Sequence, residues 1–364
     1  MATGVSARLE PAIFRLPVER IRAGYYSDAY FVYTKTLLEA EDHHPRVTMQ
    51  VFQKLDSVLG GIDEAVAILK TCSGHAGAGG EWVPGWDKLE VHALREGDAI
   101  SPRETVLTIE GDYSLFAHLE TVYLGCMARR SLIMRNVSEV VKAAGGKQIF
   151  YFPARHDHWL VQTGDGWSAH VAGAIGVSTD AQASWWGGRG LGTVPHGLIA
   201  AYGGDTVTAS VKFAQRFHDK MNITVLVDFD NDSVQTAIEV ARALEGKLWG
   251  VRLDTSEQLV DRSLYGEMGG FHPTGVNPRL VEKVRGALDG AGFADVRIVA
   301  SGGFNSDRIR DFEAARVPVD AYGVGSSLIR GQNDFTADVV MLEGRPCAKV
   351  GRAYAPNSRL ERVR

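Results

Sequence analysis

Between about residues 147 and 324 the sequence repeats one pattern: a short apolar run, most often followed by a loop and then a stretch of helical period. The runs are Gln148–Phe152, Ala172–Val177, Leu191–Val194, Ile223–Val227, Leu248–Leu253, Val296–Ala300 and Ala321–Val324. Strands that alternate with helices lie parallel, because each helix carries the chain back before the next strand begins. Seven or eight such units predict an α/β fold, a closed or nearly closed β/α (TIM-like) barrel; a doubly wound open sheet is the alternative.

The rest of the chain has a different texture. Val47–Gly60 and Ile62–Thr71 read as helical, the latter because Ile62, Val66 and Leu69 recur at helical spacing. Lys88–His92, Ala99–Ile100 and Val106–Ile109 read as strands between charged turns, and Leu115–Arg129 as a helix. From Phe335 the pairs Val339–Leu342 and Cys347–Val350, with Gly344 between them, predict a terminal hairpin. A chain of 364 residues is long enough for two cores. The expected domains are an α+β domain of residues 1–120 rejoined by 335–364, and a barrel of residues 121–334.

Composition narrows the partners. A formal charge of −5 provides no basic field for nucleic acid. No unbroken apolar stretch approaches a membrane span, and Met1–Glu10 lacks the apolar core of a secretory signal, so a cytoplasmic location is expected. Cys72, Cys126 and Cys347 form no CxxC pair, which argues against a structural zinc site and a disulfide framework. His156 and His158 lack a third metal ligand of convincing spacing, so no metal ligand is assigned.

In parallel β/α folds chemistry gathers just beyond the carboxyl ends of the strands. The residues that follow the apolar runs are Arg155, Ser178, His196, Asp228, Asp254, Ser301 and Gly323. The last two runs lead into Ser301–Gly302–Gly303, before a helix opening at Asn305, and into Gly323–Val324–Gly325–Ser326. Two successive glycine turns there predict a phosphate site, because close backbone approach and free N–H groups suit an anion; the plainer reading is that they merely turn strand into helix. Asp228 and Asp254 suit ribose hydroxyls, directly or through Mg²⁺. Arg252 shares a strand face with Asp254, so an internal ion pair is the structural alternative. His196 ends Gly192–Thr193–Val194–Pro195–His196, a loop stiffened by Thr193 and Pro195.

Arg155 can clamp a carboxylate in bidentate fashion. In Tyr25–Phe31 the aromatic rings can stack on a flat ligand; core packing suits Tyr30 and Phe31 better than Tyr26. The glycine-rich stretch 75–80 lacks a P-loop ending, follows no clear strand and reads as a flexible loop. Trp185–Trp186 receives no chemistry.

Taken together, Tyr26–Phe31, Glu120–Thr121, the Arg155 strand end, Gly176–Ser178, Gly192–His196, Arg252–Asp254, Ser301–Gly303, Gly323–Ser326 and Gly344–Pro346 resemble nicotinate phosphoribosyltransferase, within the group that includes the quinolinate and nicotinamide enzymes. The resemblance covers nearly the whole chain; each motif alone is weak. It implies a two-domain architecture with an irregular, incomplete β/α barrel, nicotinate, PRPP and ATP as substrates, Mg²⁺ as cofactor, and a homodimer or higher homo-oligomer with active sites near the subunit interface. It implies that His196 is transiently phosphorylated by ATP, that Asp254 is a ribose-side acid, and that Tyr26 and Arg155 surround the pyridine and its carboxylate. Ser178, Thr193, Asp228 and Arg252 complete the expected substrate site. Ser301, Gly302, Gly303, Gly323, Gly325 and Ser326 form the expected 5′-phosphate cradle. The chain departs from many relatives at His156, where a second arginine is common, and at Thr255–Ser256–Glu257, where Ser-Gly-Asp is common. The alternatives are a decarboxylating quinolinate enzyme and a phosphate-binding barrel lyase or isomerase. The latter needs a lysine or paired acids at a strand end, and no lysine stands at any expected strand end.

Overall fold

The computed structural model describes residues 7–364, so the reading of Met1–Glu10 falls mostly outside it. The chain divides into two units, Met1–Arg135 with Gly331–Arg364, and Asn136–Arg330.

In chain order the first unit holds α1 (Val18–Arg22), α2 (Ala29–Ala40), β1 (Arg46–Gln53), β2 (Ser57–Val58), α3 (Ile62–Cys72), β3 (Gly74–Ala76), β4 (Trp82–Pro84), β5 (Glu90–Ala93), β6 (Ala99–Ile100) and β7 (Thr105–Asp112). Helix α4 (Glu120–Ala143) carries the chain into the second unit, which holds β8 (Gln148–Tyr151), α5 (Gln162–Val171), β9 (Gly176–Val177), α6 (Asp180–Ala183), α7 (His196–Ala201), α8 (Thr206–Phe217) and β10 (Ile223–Leu226). It continues with α9 (Ser233–Leu244), β11 (Leu248–Leu253), α10 (Pro278–Gly290), β12 (Arg297–Ala300), α11 (Ser306–Ala314) and β13 (Ala321–Val324). The chain then returns to the first unit as β14 (Phe335–Leu342), β15 (Arg345–Pro346) and β16 (Glu361–Arg362).

The first unit is built on an antiparallel sheet in the order β15-β14-β1-β7-β5-β16. Val47, Met49 and Val51 of β1 enter one core with Ile62, Ile68 and Leu69 of α3, each such burial contributing ~1.5–3 kcal/mol. Where a helix is expected over Val47–Gly60, Val47–Gln53 is strand β1 and Ser57–Val58 is β2: Val-x-Met-x-Val has period two, and that spacing prevails over apolar content. The stretch 75–80 is likewise no free loop. It is the end of β3 and the tip of a β3–β4 hairpin, closed by Gly77 N–H donating to Glu81 O at 2.7 Å. Of the expected C-terminal hairpin, β14 and the short β15 form around Gly344, but Cys347–Val350 is not strand.

The second unit is a parallel sheet in the order β10-β11-β12-β13-β8-β9. Its two edges are linked through 191–194: Leu191 N–H donates to Val177 O at 2.7 Å and Val194 N–H to Thr224 O at 2.8 Å. That segment is an irregular stave of an incomplete barrel, not a regular strand. The expected strand 172–177 shrinks to Gly176–Val177 because Ala172 caps α5. Caps fix where the helices begin. Asn277 precedes Pro278 of α10, Thr179 and Gln182 form a capping box on α6, and the Asn305 side chain accepts from Arg308 N–H of α11 at 2.9 Å. No helix among the described residues is long and apolar enough to cross a membrane.

Candidate active site

Polar groups meet at the carboxyl ends of the second unit's strands. Arg252, the penultimate residue of β11, donates through Nε to Ser301 Oγ (2.8 Å) and through Nη2 to Asp254 Oδ2 (3.1 Å), just beyond the strand. Its guanidinium carbon lies 5.1 Å from the centroid of the Phe152 ring. Ser301 Oγ lies 2.8 Å from Asp254 Oδ1, and the serine is fully buried. Arg252, Asp254 and Ser301 thus satisfy one another as an internal ion pair, and Asp254 also lines a cavity. Phe152 was not singled out from the sequence, since an apolar strand residue gives no sign that an arginine will stack on it.

His196 opens α7, and its Nε2 lies 2.9 Å from Asp228 Oδ1 beyond β10. The Asp228 hydrogen bond raises the imidazole pKa above its ordinary value, burial opposes the rise, Asp228 and Asp254 charges add to it, and Arg252 opposes it. With Nε2–H directed at the carboxylate, the neutral ring presents its lone pair on Nδ1. The dyad lines a cavity of about 270 Å³ with Phe229, Asn231, Asp254, Thr255, Ser256 and Leu259. Asn231 Oδ1 and Thr255 Oγ1 on its wall are buried without a hydrogen-bond partner.

The two glycine turns adjoin this cluster. Gly302 and Gly303 adopt φ of +83° and +69°, the left-handed region that glycine enters without strain. The N–H groups of Gly302 to Asn305 and of Gly325 to Ser327 have no acceptor among the described residues. Ser327 Oγ ties the turns together by donating to Phe304 O at 2.8 Å. Gly323 lies within β13 rather than in the turn; a Cβ there would come 2.8 Å from the Phe152 ring, so its glycine is required by packing. Ser326 opens a short 3-10 turn. Arg308, which the sequence reading missed, and Glu257, noted there only as a departure from relatives, border the first turn. Arg308 Nη1 donates to Gly302 O (2.8 Å), and Glu257 Oε1 lies 3.3 Å from the same nitrogen. Only the three-dimensional meeting of distant loops reveals them.

The remaining expected residues are more dispersed. Arg155 sits in a 3-10 turn after β8, exposed and without a hydrogen-bonding or ionic partner among the described residues. Ser178 contacts Tyr151 O and Gln182 Oε1 beside the α6 cap. Thr193 lines a different cavity, of about 590 Å³ inside the barrel, with Phe150, Phe152 and Trp249. Tyr26 belongs to the first unit, half-exposed with its ring edge-on to Tyr25. In the same segment Phe31 is buried, but Tyr30, expected in the core, is 59% exposed. It is the second residue of α2, on the solvent side, one position before Phe31, which takes the inward face. No group of three or more His, Cys, Asp or Glu suited to a metal ion occurs among the described residues.

Comparison with known proteins fits this arrangement. The family described as "Quinolinate phosphoribosyl transferase, N-terminal domain" matches residues 28–131. The crystal structure of nicotinate-nucleotide pyrophosphorylase from Pyrococcus furiosus is 30% identical, with TM-score 0.78, over 96% of this chain and 85% of that one. Human nicotinic acid phosphoribosyltransferase shares the fold, with TM-score 0.68 at 15% identity over 91% of this chain and 77% of that one. Nicotinate phosphoribosyltransferase pncB2 of Mycobacterium tuberculosis is 30% identical over 253 residues, 69% of this chain and 50% of that protein. The chain belongs to the nicotinate/quinolinate phosphoribosyltransferase group. It spans about half the length of the curated relatives it matches.

Proposed function

We propose that this chain is a nicotinate phosphoribosyltransferase: it joins the ring nitrogen of nicotinate to C1 of PRPP, releases pyrophosphate, and couples the reaction to ATP through His196. The observation that carries the reading is the His196–Asp228 dyad, 2.9 Å apart, beside Asp254 and a glycine turn with unclaimed N–H groups. The nicotinate nitrogen brings a lone pair and no proton, so the bond to C1 forms as the bond to pyrophosphate breaks, with no general base. Catalysis is then a matter of holding the two reactants in line and stabilising charge on the leaving group. Arg155, unclaimed by the protein, supplies the carboxylate clamp. Asp254, held by Arg252 and Ser301, faces the ribose, and the two glycine turns receive the 5′-phosphate.

In the ATP-coupled step the γ-phosphoryl group moves to Nδ1 of His196 and ADP leaves. Asp228 keeps the other ring nitrogen protonated and the ring in place. Asp228 and Asp254 would hold a magnesium ion carried in on the substrate's phosphates, as one or two carboxylates commonly do. When bound, that ion would offset charge on the departing pyrophosphate. The reading also includes a homo-oligomer in the cytoplasm, which a sizing measurement on cell extract checks.

A second reading is favoured by the 30% identical Pyrococcus furiosus relative, which is called a nicotinate-nucleotide pyrophosphorylase. On this reading quinolinate is the substrate and CO₂ is lost. One assay separates them: purified protein, PRPP and Mg²⁺ with nicotinate, nicotinamide or quinolinate, with and without ATP. Pyrophosphate from nicotinate, increased by ATP, is expected. Pyrophosphate and CO₂ from quinolinate alone would install the second reading, and no pyrophosphate from any ring would remove both.

A further inference from the structure

The first glycine turn already has a carboxylate against it. Glu257, in the loop after β11, lies so close to Gly303 that a Cβ on that residue would fall 1.8 Å from Glu257 Oε1. The same oxygen is 3.3 Å from Nη1 of Arg308, in the first turn of α11. Arg308 is fixed independently: Nη1 donates to Gly302 O at 2.8 Å and Nη2 to Val276 O at 2.7 Å, and its guanidinium lies over the Phe304 ring. Glu257, by contrast, has a side chain 66% exposed and this one ion pair, which water screens strongly.

The turn therefore combines a rigid cation, backbone N–H groups without acceptors, and a loosely held anion over the glycine. We propose that Glu257 is an internal gate on the phosphate cradle. Its carboxylate rests against Gly303 and Arg308 in the empty protein, and an incoming phosphomonoester displaces it and takes over Arg308. A phosphate dianion offers more acceptor oxygens and more charge than a carboxylate, so it wins the exchange. A ligand with a single carboxylate or a neutral hydroxyl gains too little to move the gate. Glu257 thereby lowers the turn's affinity for every ligand by the same factor, so that only one held as strongly as a phosphomonoester occupies it. This deepens the phosphoribosyltransferase reading and rests on it.

The probe is ribose 5-phosphate, with inorganic phosphate and ribose as companions, titrated calorimetrically into the full chain without pyridine or ATP. Glu257→Ala is expected to bind ribose 5-phosphate about 2–5-fold tighter than the unmodified protein. Glu257→Gln, which keeps the bulk and removes the charge, should lie on the same side. Arg308→Ala should lose about tenfold or more, and the Glu257→Ala gain should vanish in the Arg308→Ala background. Equal or weaker binding by both Glu257 variants, with binding by the unmodified protein intact, overturns the gate and leaves the phosphoribosyltransferase reading standing. No binding of ribose 5-phosphate by any of the proteins removes the cradle, and the gate with it.

Discussion

Asp228 determines what His196 can do. A carboxylate 2.9 Å from Nε2 raises the imidazole pKa and orients the ring, so their ion pair stabilises the fold at pH below the ordinary histidine value. That contribution is lost as pH rises through the raised value. Asp228→Asn should lower the His196 pKa, read by NMR titration, and cut ATP-stimulated turnover by roughly 10²-fold. An unmoved titration would remove the orienting role. Arg155 acts at the same scale and on a different ligand. Arg155→Ala should raise the KM for nicotinate by about tenfold or more with little change for PRPP; equal losses for both would reject the carboxylate clamp. Both side chains were legible as strand-end candidates from position alone. Arg308 and Glu257 were not, because an arginine inside a helix and a glutamate in a charged loop look like ordinary surface until 51 residues of separation are folded away.

At the scale of elements, strands with clear ends were readable to the residue. Leu248–Leu253 and Ala321–Val324 are apolar runs bounded by turn residues and form β11 and β13. The irregular stave 191–194 and the misread β1 depend on neighbours that a local pattern does not contain. Gly323 shows why a glycine can be read two ways: in β13 it yields space to Phe152, on which Arg252 stacks. Gly323→Ala should cost ~1–3 kcal/mol through overpacking and lower the thermal midpoint; an unchanged midpoint would show that Phe152 moves aside freely. Glu120, at the start of α4, has its pKa raised to about 8, first by burial and then by Asp338 and Asp28. Because its folded pKa is raised, the first unit is favoured below the ordinary carboxyl value and loses stability as pH climbs toward about 8. Glu120→Gln should flatten that fall and raise the midpoint at pH 8 by roughly 2–4 °C, with wild-type and variant converging in acid.

For the molecule as a whole, the barrel class followed from alternation of strand and helix, and the return of the tail to the first unit from a single hairpin motif. The tail's depth of engagement was not legible. Gln50, buried in β1, donates to Ala353 O at 2.9 Å and accepts from Ala355 N–H at 3.0 Å, contacts spanning some three hundred residues that no local spacing announces. Removing residues 331–364 should leave the first sheet without β14, β15 and β16. Limited proteolysis of that truncated chain should degrade 7–135 while 136–330 resists; survival of both halves would show the first sheet to be self-sufficient.

The pairing of β1 with β14, Val47 opposite Leu342, sets an order on biosynthesis. A ribosome has made all the strands of the second unit by residue 324, yet the first unit must wait, β1 unpaired along one side, until β14 emerges. The half of the protein that is translated first is the half that finishes folding last, and during that interval an open apolar edge needs shelter from other nascent chains.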